Sequence, residues 1–234
     1  LNGSIFYLYT FTMTSDVELK NLIEHARRDY KKRNFDQSLD LTIILKDIDV
    51  KKGFSFNEVV HLPNKPSRQA TVCVVASGEM GSRARRAEAD RIIEVDELDR
   101  LGTNKKEAKK LAKAYDFFLS DTALMATVGR SLGQFLGPKG KMPTPIPYGA
   151  PIESILTRLR GSVRIRSRNQ LNISTKIGDE KMDDKQLIQN ANTILSLLEK
   201  KLPQGDKNIR NTSVKFTMGN TISLSSLSNK TKGA

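Results

Sequence analysis

From residue 15 the chain reads SDVELKNLIEHARRDY, and its apolar positions Leu19, Leu22, Ile23, Ala26 and Tyr30 recur every three or four residues, the spacing of one face of an amphipathic helix. Ser15 and Glu18 stand three apart at its head, where each side chain can cap the other residue's backbone N–H. The period then shortens to two. Leu39, Leu41, Ile43 and Leu45 alternate with other residues in SLDLTIILK, which predicts a strand with one buried face. FSFNEVVHL predicts a second strand, and LPNKPSRQ, carrying Pro63 and Pro66, breaks the pattern and reads as a connection between domains.

The texture changes after residue 70. TVCVVASG, RIIEV and YDFFLS are short continuous apolar runs separated by helical patterns such as NKKEAKKLAKAY and TALMATVGRSLGQFL, as expected of buried parallel strands with crossover helices. This stretch closes with a helix in PIESILTRLR and with Gly161. Beyond it, SVRIRSR and QLNISTKIG read as strands, and TSVKFTMG as a final one. Between them lies a helix with Leu187, Ala191, Ile194 and Leu198 on one stripe. Neither flank holds enough strands for a sheet of ordinary size, so the two are expected to fold together. The expected organisation is α/β with two domains: a discontinuous one of residues 13–66 and 161–224, and an inserted one of residues 67–160, with Pro66 and Gly161 as a hinge. The polar tail, residues 225–234, is expected to be mobile. The opening LNGSIFYLYTFT lacks the basic front, spanning length and cleavage site of a targeting signal. Because a helix start follows Met13 at once, residues 1–12 are read as an extension upstream of the natural start.

Composition narrows the partner. Lys and Arg number 39 against 26 Asp and Glu, a formal net charge of +13, which points to a polyanion, most often nucleic acid. The flanks (13–66 and 161–234) hold 23 basic and 15 acidic residues and the middle 16 and 11, so net charge does not identify the reading surface. The single cysteine, Cys73, lies in an apolar run and reads as a small buried hydrophobe in a reducing, cytoplasmic setting. With only His25 and His61 and no clustered ligand spacing, neither a metal site nor a Cys/His nucleophile pair has its parts. No metal, no cofactor and no membrane partner is expected.

The block LGPKGKMPTPIP, residues 136–147, invites a phosphate-loop reading that fails twice. Phe135 stands where the first glycine of GxxxxGK[ST] belongs, and Gly140-Lys141 is followed by Met142 instead of a hydroxyl residue. ASGEMGS places Gly78 and Gly81 after a strand but lacks GxGxxG. Asp96, Glu97 and Asp99 read as a solvated helix turn, and Ser77, Ser120 and Ser131 have no GxSxG elbow. A noncatalytic binding protein is expected, with a nucleotide-binding α/β enzyme built on the middle section as the alternative.

Two patterns favour RNA. Arg164, Arg166 and Arg168 alternate along one strand, which aims three guanidinium groups from one face with no acid in the row. In VKFTMGN a hydroxyl, a thioether and a glycine, Thr217, Met218 and Gly219, end a strand, a combination that lets backbone approach a sugar edge.

Taken together, LGQFLGPKGKMPTPIP, RNFDQSLDL and VKFTMGN closely resemble the ribosomal protein L-one family of the large-subunit stalk, in its archaeal form, and the resemblance spans residues 13 to 224 in order. It implies a split β-α-β, RNA-recognition-like domain made from both chain ends, carrying a Rossmann-like three-layer α/β insertion in which the GPKGKMP block is a rigid structural and interdomain element. It implies binding to stalk ribosomal RNA, help in releasing deacylated tRNA from the exit site, and repression of the protein's own messenger RNA by the same surface. The free protein is expected to be a monomer. The family's RNA-contact motif falls on Phe35, Gln37, Ser38 and Asp40 beside Thr217, Met218 and Gly219, with Arg33 and Lys215 flanking them as phosphate contacts. SRNQLNISTK departs from the bacterial pattern by lacking an Asp-Lys-Thr-Gly turn, and Arg164, Arg166, Arg168 and Lys176 are added as further contacts.

Overall fold

The structure is a computed structural model that describes residues 15–49 and 55–230. The expectation for residues 1–12, and that for residues 231–234 of the tail, lies outside the described residues. The chain divides into two compact units, one made of residues through Pro66 and from Arg164 onward, the other of Ser67–Val163. Pro66 thus ends the first segment, and Gly161, the C-cap of a helix, stands just ahead of the second boundary.

In the first unit, α1 (Asp16–Arg28) opens with the full capping box of Ser15 and Glu18 and buries Leu19, Leu22, Ile23 and Ala26. It is followed by β1 (Ser38–Leu45) and β2 (Ser55–His61). The second boundary falls within β7 (Ser162–Arg168), which is followed by β8 (Asn172–Asp179), α7 (Asp184–Lys201), β9 (Ile209–Phe216), β10 (Ile222–Ser223) and α8 (Leu224–Lys230). The order β10-β9-β1-β8 makes a four-stranded antiparallel sheet with β1, from the chain's beginning, at its centre. Leu39, Leu41, Ile43 and Leu45 are buried beneath it, where α1 packs on α7 and β9, and α7 on β8. The register slips between Leu39 and Asp40, leaving Ile177 as an extra residue of β8, a bulge that would otherwise strand backbone polar groups. Asn190 of α7, fully buried, donates through Nδ2 to the Ile177 carbonyl at 2.7 Å.

The arginine-bearing β7 pairs with β2 in a separate two-stranded ladder and is not a strand of the four-stranded sheet. The described part of the tail carries α8. Ser223 and Ser226 cap that helix reciprocally, each Oγ accepting from the other's backbone N–H at 3.2 Å, a box in which serine replaces the usual Glu or Gln.

The second unit runs β3 (Val72–Val75), α2 (Gly78–Arg86), β4 (Arg91–Ile93), α3 (Val95–Thr103), α4 (Lys105–Ala114), β5 (Phe117–Asp121), α5 (Met125–Leu136), β6 (Thr144–Ile146) and α6 (Ile152–Arg160). Its sheet is parallel throughout, in the order β4-β3-β5-β6. Alternation splits each strand between two cores: Cys73, Val75 and Phe118 meet α3, α4 and α5, while Val72, Val74, Phe117 and Leu119 meet α2 and α6. Burial pushes the Cys73 thiol up to about 12, so it stays neutral and packs as a hydrophobe. The fourth strand, β6, lies inside the proline-rich block, where Pro145 occupies an edge and so needs no ladder donor on its open side. Lys141 of the same block donates from Nζ to the carbonyls of Ala112 and Tyr115 at 3.3 and 2.6 Å. A lysine that resembles a phosphate-loop lysine in sequence is thus a clasp on the C-terminus of α4.

Candidate nucleic-acid interface

The end of the four-stranded sheet is built where the loop before β1 meets the turn after β9. Ser38 N–H donates to Thr217 Oγ1 at 3.1 Å, Thr217 N–H donates to the Ser38 carbonyl at 3.1 Å, and the two hydroxyl oxygens lie 3.0 Å apart. Gly219 N–H closes the turn on the Phe216 carbonyl at 2.9 Å. A Cβ at Gly219 would come within 3.3 Å of the Phe216 Cβ, so the tight turn favours a residue without a side chain.

Gln37, expected to face RNA, is 1% exposed. Its Oε1 accepts from Met218 N–H at 3.1 Å and its Nε2 donates to the Lys31 carbonyl at 3.0 Å, while its backbone N–H donates to Glu180 Oε2 at 3.2 Å. The correction has a simple cause: an amide at this junction satisfies a donor and an acceptor from two segments at once, so Gln37 ties them from beneath instead of presenting itself at the surface. Below it, Tyr30 donates to Glu180, and that hydrogen bond, followed by burial and the carboxylate's charge, holds its phenol above the usual range. Tyr30 also packs against the buried Phe216 with ring centroids 5.1 Å apart. Arg27 lies over the same ring at 6.0 Å and bonds Asp184, Glu180 and Met182. Sequence reasoning missed Arg27 and Glu180 as supports; the only local signal was the continuation of the α1 face to Tyr30.

On this support Phe35 and Met218 remain 50% and 61% exposed. Large apolar side chains exposed on adjoining segments make this a candidate interaction surface. Phe35 shares an open groove with Arg33, Lys32 and Asn34, and Lys181 reaches Asp36 at 2.7 Å beside it.

The outer face of the sheet continues the site in three cross-strand rows. Asp40 pairs with Lys176 on β8 and Lys215 on β9. Thr42 pairs with Ser174 and Ser213, its hydroxyl donating to Ser174 Oγ at 3.1 Å, and Ile44 pairs with Asn172 and Asn211. Partial burial raises the Asp40 pKa, and the Lys176 cation, the Ser38 hydroxyl and the Lys215 cation offset that only in part. The face therefore presents the Thr42 and Ser174 hydroxyls, the Asn172 amide and a Lys-Asp-Lys row, whereas Ser213 is buried and donates to the Thr42 carbonyl at 3.3 Å and Asn211 donates to Ser225 Oγ at 3.0 Å. The hydroxyl and amide positions fall on alternate residues of β1, β8 and β9, a spacing that by itself does not set them apart from any solvent-facing strand residue.

The structure brings Phe35, Gln37, Ser38, Asp40, Lys176, Lys215, Thr217, Met218 and Gly219 to one sheet and its end. Arg33 joins them through the Phe35 loop. Arg164, Arg166 and Arg168 do share one face of β7, with Ile165 and Ser167 buried between them, but on the other ladder. Among the described residues no three His, Cys, Asp or Glu side chains gather as a metal site, and no helix is long and apolar enough to cross a membrane.

Known proteins place the chain among the ribosomal proteins, a structural and non-enzymatic class. Residues 22–220 match the model of the ribosomal protein L1p/L10e family, and the chain belongs to that family. It is 53% identical over 213 residues to the large ribosomal subunit protein uL1 of Cenarchaeum symbiosum (strain A), covering 91% of this chain and 98% of the relative. It is 40% identical over 206 residues to the uL1 of Methanothermobacter thermautotrophicus, covering 88% and 97%, and 43% identical over 213 residues to that of Staphylothermus marinus, covering 91% and 98%.

Proposed function

We propose that this protein is a cytoplasmic constituent of the large ribosomal subunit that binds the stalk region of the large-subunit ribosomal RNA through the end and outer face of the four-stranded sheet. Phe35 and Met218 pack on bases or sugar edges, and the Ser38 and Thr217 hydroxyls with the bare backbone at Gly219 contact riboses. Asp40 accepts from a ribose hydroxyl, while Arg33, Lys176 and Lys215 hold phosphates. Arg164, Arg166 and Arg168 add phosphate contacts from the second ladder, and Gln37 positions the Met218 turn.

In this reading residues 13–66 and 161–224 form an RNA-recognition-like domain and residues 67–160 a Rossmann-like insertion, with Pro66 and Gly161 as the hinge. The protein, a monomer when free, assists release of deacylated tRNA from the exit site and represses its own messenger RNA through the same surface. The observation that carries the proposal is the exposure of Phe35 and Met218 on segments locked together by Gln37 and by the Ser38–Thr217 clasp. Family membership and the similarity to large ribosomal subunit proteins uL1 support it.

Competition between a stalk RNA fragment and bulk RNA for the full chain tests it. The stalk fragment should win, and Phe35→Ala should lose about 1–3 kcal/mol, the worth of one base stacked on an aromatic ring, while Lys65→Gln changes little. No preference for the stalk fragment, or equal losses from both variants, would overturn the reading.

A further inference from the structure

Helix α4 of the second unit carries five lysines in ten residues, Lys105, Lys106, Lys109, Lys110 and Lys113, all exposed. At ~3.6 residues per turn they fall within an arc of about 140°, opposite the buried Ala108, Leu111 and Ala112. The helix's one acid, Glu107, lies outside that arc by the same geometry. Among the described residues none of the five stands within ion-pair distance of a carboxylate. Three other cations of the unit are matched: Arg83 with Glu79, Arg85 with Glu94, and Arg91 with Glu97.

This charge works against the helix that bears it. Lys105 and Lys106 occupy the first turn, where the helix dipole disfavours cations, and the pairs 105/109, 106/110 and 109/113 are like charges at the i,i+4 spacing that repels. The helix is secured by other groups. Asn104 Oδ1 accepts from the N–H groups of Lys106 and Glu107 at its start, Lys141 clasps its end, and its inner face is buried. The outer face therefore supplies no ion pair or cap to the helix that bears it.

We propose that the lysine face of α4 is a second nucleic-acid contact, one that grips the phosphate backbone of RNA without reading sequence. An acidic protein fits less well, because protein interfaces are depleted in lysine and centred on aromatic and apolar groups, and this arc contains neither. With no aromatic ring to stack a base and no planar donor fork, it has point charges alone, suited to phosphates in any sequence. Successive lysines of the 105/109/113 row rise by about 6 Å along the helix, so one backbone segment can meet several of them.

The test uses the full chain and a mixed-sequence RNA duplex, with affinity measured across a salt series. Replacing Lys105, Lys109 and Lys113 together by Gln should make the slope of log affinity against log salt shallower by about two to three, the value for three lost phosphate contacts. The same triple replacement by Arg should leave the slope as in the wild type. Thermal unfolding of the Gln variant should be unchanged or shifted upward, since repulsion has been removed. Lys185, Lys200 and Lys207 changed to Gln, an equal loss of charge in the first unit, should leave the slope unaltered. The proposal is overturned by an unchanged slope in the α4 variant, or by equal changes in both Gln triples, which would report net charge alone. Unchanged RNA binding with lost retention on immobilised poly-glutamate would also overturn it, assigning the face to an acidic protein.

Discussion

Thr217 closes onto Ser38, 179 positions earlier in the chain, through backbone and hydroxyl contacts of 3.0 to 3.3 Å. The clasp does little for stability, because both hydroxyls border solvent and water can replace them. Thr217→Val keeps the side-chain shape and removes the acceptor. It should lower stability by about 1 kcal/mol or less while weakening stalk RNA binding by a larger factor. Chemical denaturation and filter binding on the same variant compare the two; equal losses would mean that the clasp serves the fold alone.

Asp40 gives a pH signature. Burial, the largest cause, sets its folded-state pKa above the ordinary carboxylate value. The protonated group therefore contributes stability that is fully present below the unfolded value of about 4 and is lost as pH rises through the folded one. At neutral pH the ionised Asp40 is a net cost, so Asp40→Asn should raise the melting temperature there and lose that advantage at acid pH. Melting curves at neutral pH and below about pH 4 decide the matter, and a constant offset between the two proteins would contradict it.

Gly178 is fixed by packing. A Cβ there would collide with Leu187 Cδ2 and stand 2.7 Å from Met182 Sδ, both in the core beneath the bulge of β8. Gly178→Ala should cost about 1–3 kcal/mol by overpacking, read as a lower denaturation midpoint with an unchanged slope. A midpoint equal to that of the wild type would show that α7 yields freely at this point.

Asn190 links three elements. Besides Ile177 it bonds the Asn64 carbonyl through Nδ2 at 2.9 Å and accepts from Asn64 N–H through Oδ1 at 3.0 Å. Asn190→Leu leaves buried partners unmet and should cost about 1–3 kcal/mol, with faster hydrogen exchange at the Asn64 amide. Unaltered exchange there would show that the connection to Pro66 is held by other contacts.

These residues mark where sequence reading succeeds and where it stops. The capping box of α1, the alternation of β1 and the apolar stripe of α7 are local patterns, and each formed the element it predicts. Asn190 escaped notice because a polar residue beside the stripe Leu187, Ala191, Ile194 and Leu198 breaks the apolar period that reveals the helix. The burial of Gln37 and the clasp of Thr217 depend on how β1 pairs with β9 far along the chain, a register that no local spacing encodes. Pro145 hid β6 because proline argues against a strand unless its edge position is known. The arginine row of β7 forms one face, as its alternation predicts, but its partner strand, β2, is not legible from that row.

The most direct measurement of the central claim places a photo-activatable side chain at position 218 and maps its crosslinks in intact ribosomes. The account predicts crosslinks from this position to the stalk region of the large-subunit ribosomal RNA, suppressed when Phe35 is also changed to Ala. Crosslinks confined to other proteins, or to RNA remote from the stalk, would contradict it.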